Sequence, residues 1–244
     1  MADDQHADSP DQGPDPGGPP DWALARPELI RRLISRPGRL RLALTGGAAS
    51  GKSRVAGFME TLGARQVDLD DLAKEVCGPG QAGFTLVLDL LGPDFLSPDG
   101  TLDRAKIGRA VFADHEARRG LEAALHPLIW ELLDRKLAAL AEEPAVAVSV
   151  PLLFETGLNT FFHPIITVFA SQATQMARLL ERRPLLSPDE AGRILESQWP
   201  AALKIKNSDF IINNDGPWAE TERQVRALWP RLLAAGPKSD ILPS

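Results

Sequence analysis

The feature that most constrains this chain is the octapeptide Gly46-Gly47-Ala48-Ala49-Ser50-Gly51-Lys52-Ser53. It follows an apolar run, Leu40-Arg41-Leu42-Ala43-Leu44-Thr45, and precedes apolar residues at helical spacing, Val55, Phe58, Met59 and Leu62. Glycine, four residues, then Gly-Lys-Ser between a strand and a helix is the pattern of a phosphate-binding loop. The first N–H groups of a helix have no partner within it and carry the positive end of its dipole. Gly46 and Gly51 let the backbone wrap an anion with no Cβ in the way. Lys52 offers a mobile cation to the outer phosphates of a nucleotide, and the Ser53 hydroxyl is a ligand for Mg²⁺. The nucleotide contacts expected here are Gly47, Ala48, Ala49, Ser50, Gly51, Lys52, Ser53 and Arg54.

A length of 244 residues suits one domain with insertions, and 43% hydrophobic residues supply a buried core. A net charge of −6 argues against binding nucleic acid through charge. A lone cysteine, Cys77, excludes an internal disulfide and a cysteine-built metal site. No apolar run has the length of a membrane span, and the N-terminus lacks the basic and apolar regions of a signal peptide. The expectation is a cytoplasmic protein with no membrane, nucleic-acid or obligate protein partner.

Residues 1–22 carry six Asp, no Lys or Arg, and a Pro/Gly-rich run, so an acidic, disordered extension is expected over 1–38. Within it, residues 27–35 could form a short amphipathic helix. From residue 40 short apolar runs alternate with helical stretches, which predicts a parallel sheet with crossover helices. Strands are expected near 40–45, 65–69, 145–150, 164–170 and 209–213. The runs at 146–150 and 165–169 do not alternate, as expected of strands covered on both faces. Between the second and third strands a helical insertion is expected, about 76–142, in which Pro127 either starts a new helix or kinks one. Ser187-Pro188-Asp189-Glu190 reads as a capping box that starts a helix. The core is expected over 39–230, with a C-terminal tail at 231–244.

Asp68-Leu69-Asp70-Asp71 ends the second strand, on the rim where an open parallel sheet binds its ligands. A carboxylate there can ligate Mg²⁺ or accept the proton of an attacking hydroxyl; alternatively one of these residues caps a helix and the others are solvated. Arg178 and Arg182 lie four apart after the fourth strand. They either stabilise the charge of a transferring phosphoryl group or form a solvated basic face. Glu155 follows the third strand, where a cap or surface role is expected, and His126 is either structural or a substrate contact. Asn214 ends the last strand, in a position for a nucleotide-base contact.

Taken together these segments resemble the dephospho-CoA kinase family over roughly residues 40–216. The resemblance rests on Leu44-Thr45-Gly46-Gly47, Val67-Asp68-Leu69-Asp70, Leu102-Asp103-Arg104, Leu125-His126-Pro127-Leu128-Ile129, Val150-Pro151-Leu152-Leu153-Phe154-Glu155, the helix from Leu186-Ser187 reaching Gln198, and Asp209-Phe210-Ile211-Ile212-Asn213-Asn214. It implies an α/β P-loop kinase fold: a five-stranded parallel sheet flanked by helices, with a helical substrate-binding insertion and a lid at about 178–200. It implies transfer of the γ-phosphoryl group of ATP, with Mg²⁺, to the ribose 3′-hydroxyl of dephospho-CoA. By position, Asp70 resembles the base, and Asp68 its neighbour on metal or substrate. Lys52 and Ser53 resemble the phosphate and Mg²⁺ contacts, and Arg178 and Arg182 fall in the lid. Asp103, Arg104 and His126 fall in the substrate-binding insertion.

The chain departs from the family pattern at Ala49 for Gly, Arg54 for Thr, Phe169 where Asp is common, and Ser208 for Ala. If position 49 needs a positive φ, Ala strains the loop. Two other readings use the same loop: a nucleoside or nucleotide kinase, and a non-catalytic CoA- or nucleotide-binding relative. The guanine-specific Asn-Lys-x-Asp motif of a GTPase switch is absent.

Overall fold

The computed structural model describes residues 40–235. The expected acidic extension, the helix at 27–35 and residues 236–244 lie outside the described residues.

Five strands form one parallel sheet: β1 Leu40–Thr45, β2 Arg65–Asp68, β3 Ala145–Ser149, β4 Ile165–Phe169 and β5 Phe210–Asn213. Their order across the sheet is β2-β3-β1-β4-β5, with Leu42 opposite Ala147, Val67 opposite Val148 and Thr167 opposite Ile211. Each strand lies within one residue of its sequence expectation. The three central strands are buried along nearly their whole length, whereas the edges β2 and β5 alternate with solvent. That is why the middle runs are near-continuously apolar, with Arg41, Thr45, Ser149 and Thr167 as buried exceptions.

The period of two sorts the side chains onto two faces. Leu40, Leu42, Leu44, Ala145, Ala147, Ile166, Val168 and Ile212 pack with α1 (Lys52–Thr61) and the C-terminal helix. Ala43, Val146, Val148 and Ile165 pack with the insertion. The insertion comprises α2 (Leu69–Val76), α3 (Ala82–Leu91), α4 (Arg104–Ala113) and α5 (His115–Ala139), with α2, α3 and α4 packed on α5. α5 passes through Pro127 as one helix. A proline inside a helix costs about 3 kcal/mol. Burial of Ile129, Trp130, Leu133 and Leu137 offsets it at roughly 1.5–3 kcal/mol for each fully buried large apolar side chain.

After β4 come α6 (Gln172–Arg182), α7 (Pro188–Glu196) and α8 (Ala201–Lys206), with α6 and α7 packed together as a hairpin. The expected capping box at Ser187 and Glu190 is formed in both directions. The last helix, α9 (Trp218–Ala235), runs five residues past the expected end of the core at 230. Among the described residues no helix is long and apolar enough to cross a membrane.

The chain leaves β1 toward β3 and β2 on one side and later toward β4 and β5 on the other. The strand order therefore switches at β1, and the crevice at such a switch point opens beyond the C-terminal strand end. The Gly46–Ser53 segment occupies that place.

Arg41 fastens the insertion to the sheet. It is buried, and its guanidinium donates to the carbonyls of Leu140, Ala141 and Glu143 just past the end of α5. Leu140 O also accepts the Glu143 N–H at 3.1 Å, whereas the Ala141 and Glu143 carbonyls lie past the helix end. Arg41→Met should lower stability by about 2 kcal/mol, because partly buried carbonyls lose the guanidinium that ties the insertion to the sheet. A melting temperature lower by about 4–8 °C in thermal unfolding is the expected reading.

Candidate active site

The loop after β1 is a tight turn followed by a helix start. Ser50 N–H donates to Gly47 O at 3.1 Å, closing a turn whose third residue is Ala49. Ala49 has φ 56°, which favours glycine in a turn of this kind. Gly46, at φ 154°, could not carry a side chain, because its Cβ would run into Val168 O and come 2.7 Å from Ser50 Oγ. Gly51, at φ 91°, has Asn214 Nδ2 where its Cβ would be.

The carbonyls of the loop are held from outside. Ser50 O accepts from Asn214 Nδ2 at 2.7 Å and from Arg178 Nη1 at 3.3 Å. Ala49 O accepts from Arg178 Nη1 at 3.4 Å, and Arg178 Nη2 donates to Asn214 O at 2.9 Å. In a trans peptide the C=O and N–H point opposite ways, so drawing Ser50 O outward turns the Gly51 N–H to the inner side of the loop. α1 begins at Lys52 with no side-chain cap from Gly51, which leaves its first amides to an anion.

On the same rim, Asp68 ends β2 and caps α2, accepting the Asp70 N–H at 2.8 Å. Asp68 lies opposite Ser149, and Ser149 opposite Leu44, so the acidic pair is two strands from the loop at the same strand ends. Asp70 reaches solvent, yet surrounding protein atoms desolvate it and, with the charge of Asp68, raise its pKa above the usual carboxylate range; Lys52 opposes the shift. Burial lowers the pKa of Lys52, against the pull of Asp68 and Asp70. The Lys52 ammonium and both carboxylates thus share one electrostatic environment. Lys204 and Glu155 act on Lys52 as well, in opposite directions. They form a buried ion pair at 2.6 Å, so Glu155 is an inward partner of α8 rather than the expected cap or surface residue.

Beside the loop lies a cavity of about 510 Å³, lined by Gly47, Phe169, Gln175, Gln198, Trp199 and Lys204 among others. Among the described residues no group of three or more His, Cys, Asp or Glu is arranged to hold a metal ion. The Ser53 hydroxyl, exposed in the first turn of α1, and the Asp68 carboxylate at the end of β2 are the protein oxygens expected for an ion that arrives with a triphosphate.

The remaining expected residues are placed as follows. Arg178 is committed to loop carbonyls, whereas Arg182, one turn later, is exposed at the end of α6. Asn214 is buried, with its amide bound to Ser50 O and its Oδ1 accepting from Thr221 Oγ1 at 2.9 Å. It braces the loop, and its side chain does not face outward to a base as the sequence reading expected. Asp103 caps α4 through Lys106 N–H, and Arg104 donates to Lys74 O, both contacts lying inside the insertion. His126 is partly buried in α5, where desolvation lowers its pKa against the pull of Glu122. Sequence reasoning gave no role to Gln198, whose Oε1 accepts the Ala48 N–H at 2.7 Å, nor to Gln175, packed against Gly47. Both contacts join segments more than a hundred positions apart, which no local spacing announces.

Ala49 carries a left-handed conformation that costs a non-glycine residue on the order of 1 kcal/mol. Ala49→Gly should therefore stabilise the chain by about 0.5–1 kcal/mol, the relief of strain exceeding the added freedom of the unfolded chain. Thermal unfolding should show a melting temperature higher by about 1–4 °C; an unchanged or lower value contradicts strain at this residue.

A family model for dephospho-CoA kinase matches residues 40–220. A dephospho-CoA kinase from Geobacter metallireducens is 42% identical over 201 residues, 82% of this chain and 100% of that protein. One from Geobacillus kaustophilus is 37% identical over 191 residues, 78% of this chain and 94% of that protein. Among solved structures, TT1252 from Thermus thermophilus superposes with a TM-score of 0.71 at 31% identity, covering 80% of this chain and 98% of that one. Dephospho-CoA kinase from Campylobacter jejuni superposes with a TM-score of 0.59 at 24% identity, over 80% of this chain and 98% of that one, and shares the fold. The chain belongs to the dephospho-CoA kinase family.

Proposed function

We propose that this chain transfers the γ-phosphoryl group of ATP to the ribose 3′-hydroxyl of dephospho-CoA, giving coenzyme A and ADP. The observation that carries this reading is the shared rim: the Lys52 ammonium, at the mouth of the phosphate loop, sits in the field of the Asp68 and Asp70 carboxylates. An alcohol acceptor and a triphosphate can meet only where a proton acceptor and an anion cradle converge.

The residues take the following roles. The amides at the start of α1 and Lys52 hold the outer phosphates and spread the charge of the transferring group. Asp70 orients the attacking hydroxyl and accepts its proton. A raised pKa suits that task, because the base then takes up a proton more readily than an ordinary surface carboxylate. Asp68 fixes the start of α2, and thereby Asp70, through its cap. Arg178 shapes the loop from behind. Arg182 is the exposed arginine at the end of the α6–α7 hairpin, which serves as a lid over the phosphates. Bound Mg²⁺ would be held by Ser53 and phosphate oxygens and would neutralise part of the phosphate charge. The insertion, with Asp103, Arg104 and His126, receives the CoA moiety, and the site works in the cytoplasm.

ADP release followed by a coupled assay should be rapid with dephospho-CoA and slow with a panel of nucleosides. The reverse order would move the chain to another small-molecule kinase, and binding of both ligands without product would make it a binding protein.

Asp70→Asn should keep ATP binding and lower kcat by about 10²–10⁴-fold. The sign of the pH dependence follows from the raised pKa. Activity needs the deprotonated carboxylate, so kcat/KM should rise with pH on an acidic limb lying above the usual carboxylate range. Asp68→Asn removes a neighbouring negative charge while keeping a capping oxygen, so the limb should move to lower pH. A pH–rate profile of the two chains checks both statements, and a limb unmoved by Asp68→Asn contradicts the assignment.

A further inference from the structure

The connection between α7 and α8 is fastened at two points. The Trp199 N–H donates to Glu155 Oε1 at 2.9 Å, and the same oxygen pairs with Lys204 Nζ at 2.6 Å. The Trp199 ring stacks on Phe154 with centroids 5.8 Å apart and planes 11° from parallel. Phe154 and Lys204 are fully buried. Sliding this connection would break a buried ion pair and an aromatic stack, so it is a fixed point on the sheet. The residue just before Trp199 is Gln198, and its Oε1 accepts the Ala48 N–H at 2.7 Å.

The peptide between Gly47 and Ala48 is therefore held at both ends. Its carbonyl accepts the Ser50 N–H inside the turn, and its N–H is held by Gln198. This is the turn that carries Ala49 at φ 56°. A strained residue persists only where its surroundings determine it. Arg178 holds the far side of the turn through the Ala49 and Ser50 carbonyls. On the near side the tether is Gln198.

We propose that Gln198 is a positioning residue for ATP. It acts through the Ala48 amide to hold the Gly47–Ser50 turn in the shape that presents the following amides and Lys52 to the phosphates. A residue 150 positions away in sequence thereby sets the affinity of the loop for nucleotide, and the α7–α8 connection is part of the nucleotide site without touching nucleotide. This inference rests on the reading of the loop as the ATP cradle.

The test uses the full chain with Gln198→Met, which keeps length and removes the acceptor, and with the shorter Gln198→Ala, so that the result does not hang on one replacement. Both should show a KM for ATP raised about tenfold, with kcat within about threefold and the KM for dephospho-CoA within about twofold of wild type. Ala49→Gly removes the strain that the tether contains. In that background the same Gln198 substitutions should raise the KM for ATP only about threefold, a coupling that general loosening of the helix hairpin would not produce. An unchanged KM for ATP, equal rises in both KM values, or strict additivity with Ala49→Gly would overturn the proposal while leaving the loop reading intact. A wild-type chain that does not saturate with ATP would remove the loop reading and this inference together.

Discussion

A backbone that must offer N–H groups to an anion has to place its carbonyls elsewhere, and the site depends on how that is done. Here the carbonyls of Ala49 and Ser50 are drawn away from the loop interior by Arg178 and Asn214. Peptide geometry then turns the Gly51 N–H to the opposite side, while the Ser50 N–H closes the turn on Gly47 O. Asn214 is itself held by Thr221 from α9, and Arg178 bonds the Asn214 carbonyl, so the two braces support one another. The anion site is thus assembled from β1, α6, the end of β5 and α9. The parallel sheet makes this possible by bringing all its C-terminal strand ends to one rim.

The sheet and the loop were legible in the sequence because their causes are local. Burial on both faces leaves near-continuous apolar runs such as residues 146–150, and Gly46 and Gly51 mark positions where a side chain has no room. The acidic pair at Asp68 and Asp70 was legible because strand ends of a parallel sheet share an edge. The bracing was not legible. Arg178 read either as a residue for the phosphoryl group or as part of a solvated face, and Asn214 as a polar strand-end residue placed for a base contact; neither reading included a brace on the loop. Which task each performs is decided by tertiary approach, as the space beside Gly51, filled by Asn214 Nδ2, illustrates. Glu155 likewise read as a cap or surface residue because its partner, Lys204, is supplied by a helix nearly fifty positions later. Pro127 was ambiguous for a related reason: propensity alone argues for a break, and only the buried face of α5 keeps the helix whole.

The charges of the site show the same interplay of distant segments. Lys52 is pushed toward its neutral form and Asp70 toward its protonated form, although each is the other's counter-charge. Desolvation therefore exceeds mutual attraction at both groups. Two unit charges 4 Å apart attract by about 4 kcal/mol at an effective dielectric of 20. An attraction of that size acts only at close contact, and burial sets the direction of both shifts. In the proposed reaction a bound phosphate would favour the charged form of Lys52 and raise the proton affinity of Asp70 further. On that proposal the first change strengthens binding, and the second suits Asp70 to accept the proton of the hydroxyl. On the proposed roles, binding and base strength are coupled through the environment that Lys52 and Asp70 share.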